Sequence, residues 1–96
     1  MAESKIEKLF EVKGATTQTI TVGATGTQDV EIPFSSFDSS RTPVAVSGYG
    51  YSGSGFSFLT VYKMIVDYST NKILLSIRNN RSTDASVKVT VYVLFV

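Results

Sequence analysis

A chain of 96 residues with net charge +1, no cysteine and no histidine has no disulfide frame, no thiolate metal site and no histidine general base. Its Lys and Arg residues are scattered among Asp and Glu, so nucleic acid is not an expected partner. No apolar run approaches the ~20 residues of a membrane helix, so membrane insertion is not expected either.

The first thirteen residues carry two readings. Ser4-Lys-Ile-Glu7 has the form of a helix capping box, and Ile6, Leu9 and Phe10 have helical spacing. The same stretch alternates as a strand at about residues 8–13, leaving 1–7 as a short helix or a disordered lead-in. The start lacks an apolar signal core, so no secretion signal is expected. Gly14-Ala-Thr-Thr17 breaks the pattern. Ile20 and Val22 then alternate with Thr19 and Thr21 as a second strand. Gly23-Ala-Thr-Gly26 predicts a turn, with the runs on either side forming a hairpin. Val30, Ile32 and Phe34 against Asp29 and Glu31 give a third strand, and Pro33 near its end predicts an edge position or a bulge.

Residues 35–42 read as a polar connector in which Phe37 plugs the end of the core. Pro43-Val-Ala-Val-Ser47 opens a fourth strand that runs into the low-complexity loop Gly48-Tyr-Gly-Tyr-Ser-Gly-Ser-Gly55. A fifth strand is predicted over 56–68, with Phe56, Phe58, Tyr62, Met64 and Val66 on one face and Leu59, Val61 and Ile65 on the other. After a turn at 67–72, Ile73, Leu75 and Ile77 define a sixth strand. A polar loop, Asn79-Asn-Arg-Ser-Thr-Asp84, precedes the most regular element, Ser86-Val-Lys-Val-Thr-Val-Tyr-Val-Leu-Phe-Val96. Its strict alternation and β-branched content predict a central strand with Val87, Val89, Val91, Val93 and Phe95 in the core. Short strands with polar turns between them predict an all-β fold, a small antiparallel β-sandwich of about seven strands, forming a single domain over residues 1–96.

Gly48-x-Gly50-x-x-Gly53 matches the dinucleotide fingerprint, but a strand rather than a helix follows, so no helix N-terminus is there to hold a pyrophosphate. No cofactor is expected. The Tyr, Ser and Gly of this loop resemble the composition of antibody binding loops, and the rings of Tyr49, Tyr51 and Phe56 could stack on the apolar face of a sugar. Asn79, Asn80, Arg81 and Asp84 offer amide, guanidinium and carboxylate groups suited to hydroxyls, carboxylates or phosphates. Tyr49, Tyr51, Asn79, Asn80, Arg81 and Asp84 form the expected ligand-binding surface, with a sheet-covering loop as the alternative for the tyrosines and a plain solvated turn for the rest. Asn80-Arg-Ser82 also matches a glycosylation sequon, which has no bearing without secretion. Asp38, Asp67 and Asp84 read as isolated turn-formers. Without histidine, and without two converging carboxylates, the chain is not expected to be an enzyme.

Val30-Glu-Ile-Pro-Phe34, Thr42-Pro-Val-Ala-Val46, the segment 62–67, Leu75-Ser-Ile-Arg-Asn79 and the alternating terminal strand form a succession. It resembles the C-terminal β-sandwich domains of bacteriophage tail-fibre and receptor-binding proteins, themselves similar to H-type lectins. The resemblance covers about two-thirds of the chain, as a pattern of strands and turns. It implies a homotrimeric module that binds carbohydrate or another cell-surface receptor at the tip of a phage or prophage fibre, located in the virion and made in the bacterial cytoplasm. The H-type sugar site uses histidine, which this chain lacks. Only the general position of the turn before the last strand, residues 79–84, carries over. A virion decoration or trimerisation cap without a ligand is the alternative. Independently of the resemblance, apolar residues on both faces of the predicted fifth and last strands suggest a covered outer surface and hence self-association.

Overall fold

The computed structural model describes residues 10–96, and the capping box and lead-in expected over 1–7 lie outside that range. The described residues form seven strands: β1 (Glu11–Thr16), β2 (Ile20–Val22), β3 (Thr27–Pro33), β4 (Ala45–Ser54), β5 (Leu59–Asp67), β6 (Lys72–Asn79) and β7 (Ala85–Phe95). Single 3-10 turns stand at Phe34–Ser36 and Phe56–Phe58. The strands make two antiparallel sheets, so the molecule is an all-β protein consistent with a small β-sandwich. No helix among the described residues is long and apolar enough to cross a membrane.

The first sheet is built on β7. It pairs with β4 along one side and with β1 and then β2 along the other. The inner face of β7 lies against the second sheet and is completely buried. Ala85, Val87, Val89, Val91, Val93 and Phe95 are all 0–1% exposed, while Lys88 and Tyr92 stay outside. The second sheet has the order β3-β6-β5, with Ile73, Leu75 and Ile77 of β6 supplying its side of the core. Val30, Ile32 and Phe34 extend that layer, and Phe37 closes one end as expected.

Three one-residue irregularities decide which side chains reach the core. Thr16 pairs with Thr90 and Ile20 with Val87, so four residues advance on one strand against three on the other. β1 and β2 are therefore one edge ribbon with an extra residue. That residue re-phases the alternation so that Ala15, Ile20 and Val22 all turn inward. In β5, Val61 opposes Ile77 and Lys63 opposes Ser76, leaving Tyr62 as a bulge. The inner set is thus Leu59, Val61, Met64 and Val66, not the unbroken series expected over 56–66. Phe56 and Phe58 belong to no strand; they sit on a turn. A third irregularity lies between Val46 and Gly48 of β4.

Two further expectations are corrected. The runs around Gly23–Gly26 do not form a hairpin, because β2 pairs with β7 and β3 with β6, and the turn carries the chain from one sheet to the other. Residues 48–55 are not a loop, since β4 continues to Ser54 against β7. Glycines weaken a strand, but nine consecutive residues of β7 hold this one in register. Pro33 does lie on an edge strand, where no ladder hydrogen bond is required of it.

The connector between β3 and β4 is clasped to β1 by charge. Asp38 is not isolated. Its Oδ1 accepts from the backbone N–H of Ser40 at 2.9 Å, and its Oδ2 from Lys13 Nζ and Arg41 Nε, both at 2.9 Å. Arg41 Nη2 also donates to Glu11 Oε2 at 2.8 Å, and its guanidinium lies 4.8 Å from the centre of the Phe95 ring. The Ser40 amide, then Lys13 and Arg41, hold the Asp38 carboxyl well below the usual carboxylate range. Because the folded value is the lower one, this stabilisation is complete at neutral pH. It is lost as pH falls through the unfolded value of about 3.9 and on toward the folded one. The melting temperature is expected to drop between about pH 5 and pH 2, and Asp38→Asn is expected to flatten that dependence. Unfolding scans of both proteins across this range check it, and equal slopes would refute it.

Candidate functional site

One end of the sandwich gathers three connections: the β2–β3 turn, the segment between β4 and β5, and the β6–β7 loop. Asn79 organises them. It is fully buried, its Nδ2 donates to Val22 O at 3.0 Å and Thr83 O at 2.8 Å, and its Oδ1 accepts from Arg81 N at 3.1 Å. Its own backbone N–H donates to Gly26 O at 2.9 Å. One amide side chain therefore ties β2 to both arms of the β6–β7 loop, which is how a buried asparagine is satisfied rather than how one meets a ligand.

The other expected loop residues surround it. Arg81 folds back over its own loop, with Nε donating to Thr83 O at 3.1 Å and Nη2 to Asp84 O. Its guanidinium faces the Phe58 ring at 5.6 Å and lies against Gly55, whose φ of +80° and missing Cβ make the approach possible. Asn80 Nδ2 donates to Thr60 Oγ1 at 2.8 Å, and the Asn80 backbone N–H to Phe58 O at 2.9 Å. Asp84 Oδ1 accepts from Ala24 N at 3.0 Å. Asp84 is thus joined to another connection instead of capping its own turn. Asn80 and Asp84 remain exposed at this end, and beside them Phe56 and Phe58 are 54% and 48% exposed.

Tyr49 and Tyr51 stand apart from this cluster. They lie within β4 opposite Val91 and Val89, seven and five residues along β7 from Asp84. At about 3.4 Å per residue these separations are roughly 24 and 17 Å. Both rings turn toward the inner face at the sandwich margin and meet edge-to-face at 5.8 Å. Tyr51 packs on the core, and its hydroxyl is buried with no hydrogen-bond partner. Burial, with Tyr49 adding to it, pushes its pKa up to about 12. Tyr49, 47% exposed, stands at a groove of about 540 Å³ between β4 and β5, lined also by Val44, Val46, Met64 and Val66. The six expected residues therefore divide into a cluster of four at the loop end and a pair on the β4 margin.

Sequence reasoning offered Phe56 as a sugar-stacking ring beside the tyrosines but missed Phe58, and placed both on a strand instead of beside Arg81. The signal was Gly55: a glycine just before two aromatics marks a break in the strand as readily as its start. A second depression, about 420 Å³, lies beside the Asp38 clasp, and both of its basic side chains are already paired, Arg41 with Glu11 and Asp38 and Lys72 with Glu31. No group of three or more acidic side chains suited to a metal ion occurs among the described residues. No family model matches the chain, and neither does any curated protein or solved structure.

Proposed function

We propose that the chain is a non-catalytic recognition module whose loop end contacts a carbohydrate or another cell-surface receptor. The observation that carries this is the pair of half-exposed rings, Phe56 and Phe58, beside a guanidinium held rigid by its own loop. Exposed aromatic surface favours the apolar face of a sugar ring, and the neighbouring Asn80 amide and Asp84 carboxylate suit its hydroxyls. A site fixed by hydrogen bonds before binding loses little conformational entropy when a ligand arrives. The resemblance to tail-fibre tip domains supplies the biological setting, a phage or prophage fibre in the virion, and by itself implies a homotrimer. The exposed apolar residues Val12, Tyr92 and Val96 on or beside the outer face of β1 and β7 favour self-association of some kind, while the number three comes from the resemblance.

A structural virion sandwich without a ligand is the second reading. It is favoured by the inward use of Asn79, Arg81 and Asp84, each of which bonds to the protein's own backbone. Binding to a glycan array and to whole bacterial cells separates the two. The Phe56→Ala/Phe58→Ala double variant is expected to lose binding at least tenfold while its melting temperature moves by only a few degrees, since both rings lie outside the core. Absence of binding by the unaltered protein to every glycan and cell tested would favour the structural reading.

A further inference from the structure

Sheet edges are exposed hydrogen-bonding templates, and soluble proteins guard them with charge, proline or bulges. Three of the four edges here are guarded. β3 carries Asp29, Glu31 and Pro33, β5 carries Lys63 next to its bulge, and the β1–β2 ribbon carries Glu11, Lys13 and an extra residue. β4 differs. Its ten residues include no charge and no proline, and its irregularity is confined to Val46–Gly48. Among the described residues, its outer side pairs with nothing.

The direction of its peptide groups follows from the ladder. Thr17 N donates to Val89 O at 2.9 Å, so the odd-numbered residues of β7 turn their backbone groups toward β1 and the even-numbered ones toward β4. Gly48 and Gly50, opposite Tyr92 and Thr90, therefore bond to β7. Tyr49 and Tyr51 direct their N–H and C=O groups outward.

The outward-facing stretch is nearly symmetric about Gly50. Tyr49 and Tyr51 flank it, then Gly48 and Ser52, then Ser47 and Gly53. We infer that β4 pairs antiparallel with β4 of a second copy of this chain about a two-fold axis at Gly50. Tyr49 then exchanges both backbone hydrogen bonds with the partner's Tyr51, and Tyr51 does so with the partner's Tyr49. Gly50 faces its own equivalent in the non-bonded position. On the inner face, the two edge-to-face tyrosine pairs meet and cover the mouth of the β4–β5 groove. On the outer face only glycine and serine oppose each other. An interface of this kind is self-complementary and closed, as a two-fold dimer requires. No like charges oppose each other across it, because β4 has none.

This goes beyond the recognition reading and does not rest on it; glycan binding and chain pairing can each fail alone. A two-fold contact also predicts a mass of two chains where the fibre resemblance predicts three. The test uses Gly50, where a Cβ would meet nothing within 4 Å and the new side chain points to solvent on the outer face. Light scattering of the unaltered chain at micromolar concentration should give a dimer. Gly50→Lys and Gly50→Glu should each give a folded monomer, since like charges would face each other across the axis. Mixing the two should restore a dimer containing one of each. Because the chain has no cysteine, Gly50→Cys should also form a single inter-chain disulfide on mild oxidation. An unaltered chain that is monomeric or trimeric would overturn the inference, as would a Gly50→Lys protein that remains dimeric.

Discussion

The Val91→Asp protein is expected not to fold. Val91 lies at the middle of β7, is 0% exposed, and has Ala15 opposite it on one side and Tyr49 on the other. Among the described residues no cation is buried that could pair with a new carboxylate there. An unpaired buried carboxylate costs several kcal/mol or takes up a proton. A domain of this size has only about 5–10 kcal/mol in total, and losing the valine removes roughly another 1.5–2 kcal/mol of burial. Circular dichroism and amide-proton dispersion should show an unfolded chain. The control sits three residues away on the opposite face: Lys88→Asp, at an exposed position, should melt within a few degrees of the unaltered protein. A cooperative transition for Val91→Asp near that of the control would mean that the inner and outer faces of β7 are assigned the wrong way round.

The second large effect is expected at Asn79→Leu. The substitution keeps the branching at Cγ with a somewhat larger volume and removes all three side-chain hydrogen bonds. The carbonyls of Val22 and Thr83 and the N–H of Arg81 then lose a partner where the loops close over one another. The Thr83 carbonyl still accepts from Arg81 Nε, so at about 1–3 kcal/mol for each group left unsatisfied a loss of roughly 2–4 kcal/mol follows. For a domain of this length that is a fall of about 10–25 °C in melting temperature. The neighbouring Asn80→Ala, which loses one exposed bond to Thr60, should fall by no more than about 1 kcal/mol. Thermal unfolding of the two variants side by side separates a residue that builds the loop end from one that decorates it. If Asn79→Leu were as stable as Asn80→Ala, the three bonds would not hold this end together, and a direct contact role for Asn79 would regain its interest.

The sequence by itself determined the all-β class, the central position of the last strand and the buried set of valines on it, because period-two alternation of β-branched residues has one interpretation on a pleated surface. Pro33 likewise read as an edge or a bulge, and Phe37 as a plug, from local chemistry alone. What tertiary structure decided was phase and partner. Single extra residues, between Thr17 and Ile20 and at Tyr62, reverse which side of a strand faces inward, and their local composition does not distinguish them from regular strand. The Gly23–Gly26 turn looks like a hairpin because a turn does not specify which strand the emerging chain will pair with; here each flanking strand found a longer partner in a different sheet. The Gly/Tyr stretch scored as a loop on composition, yet β7 offered it a ladder nine residues long, and backbone pairing outweighed the entropy of its glycines. The same distinction divides the expected site. Residue types named which groups could meet a ligand, but only the folded chain shows that Asn79 faces inward, that Arg81 lies against Gly55 and Phe58, and that the tyrosines sit on an open sheet edge. Each of these is set by contacts between segments far apart in sequence, and no local pattern records them.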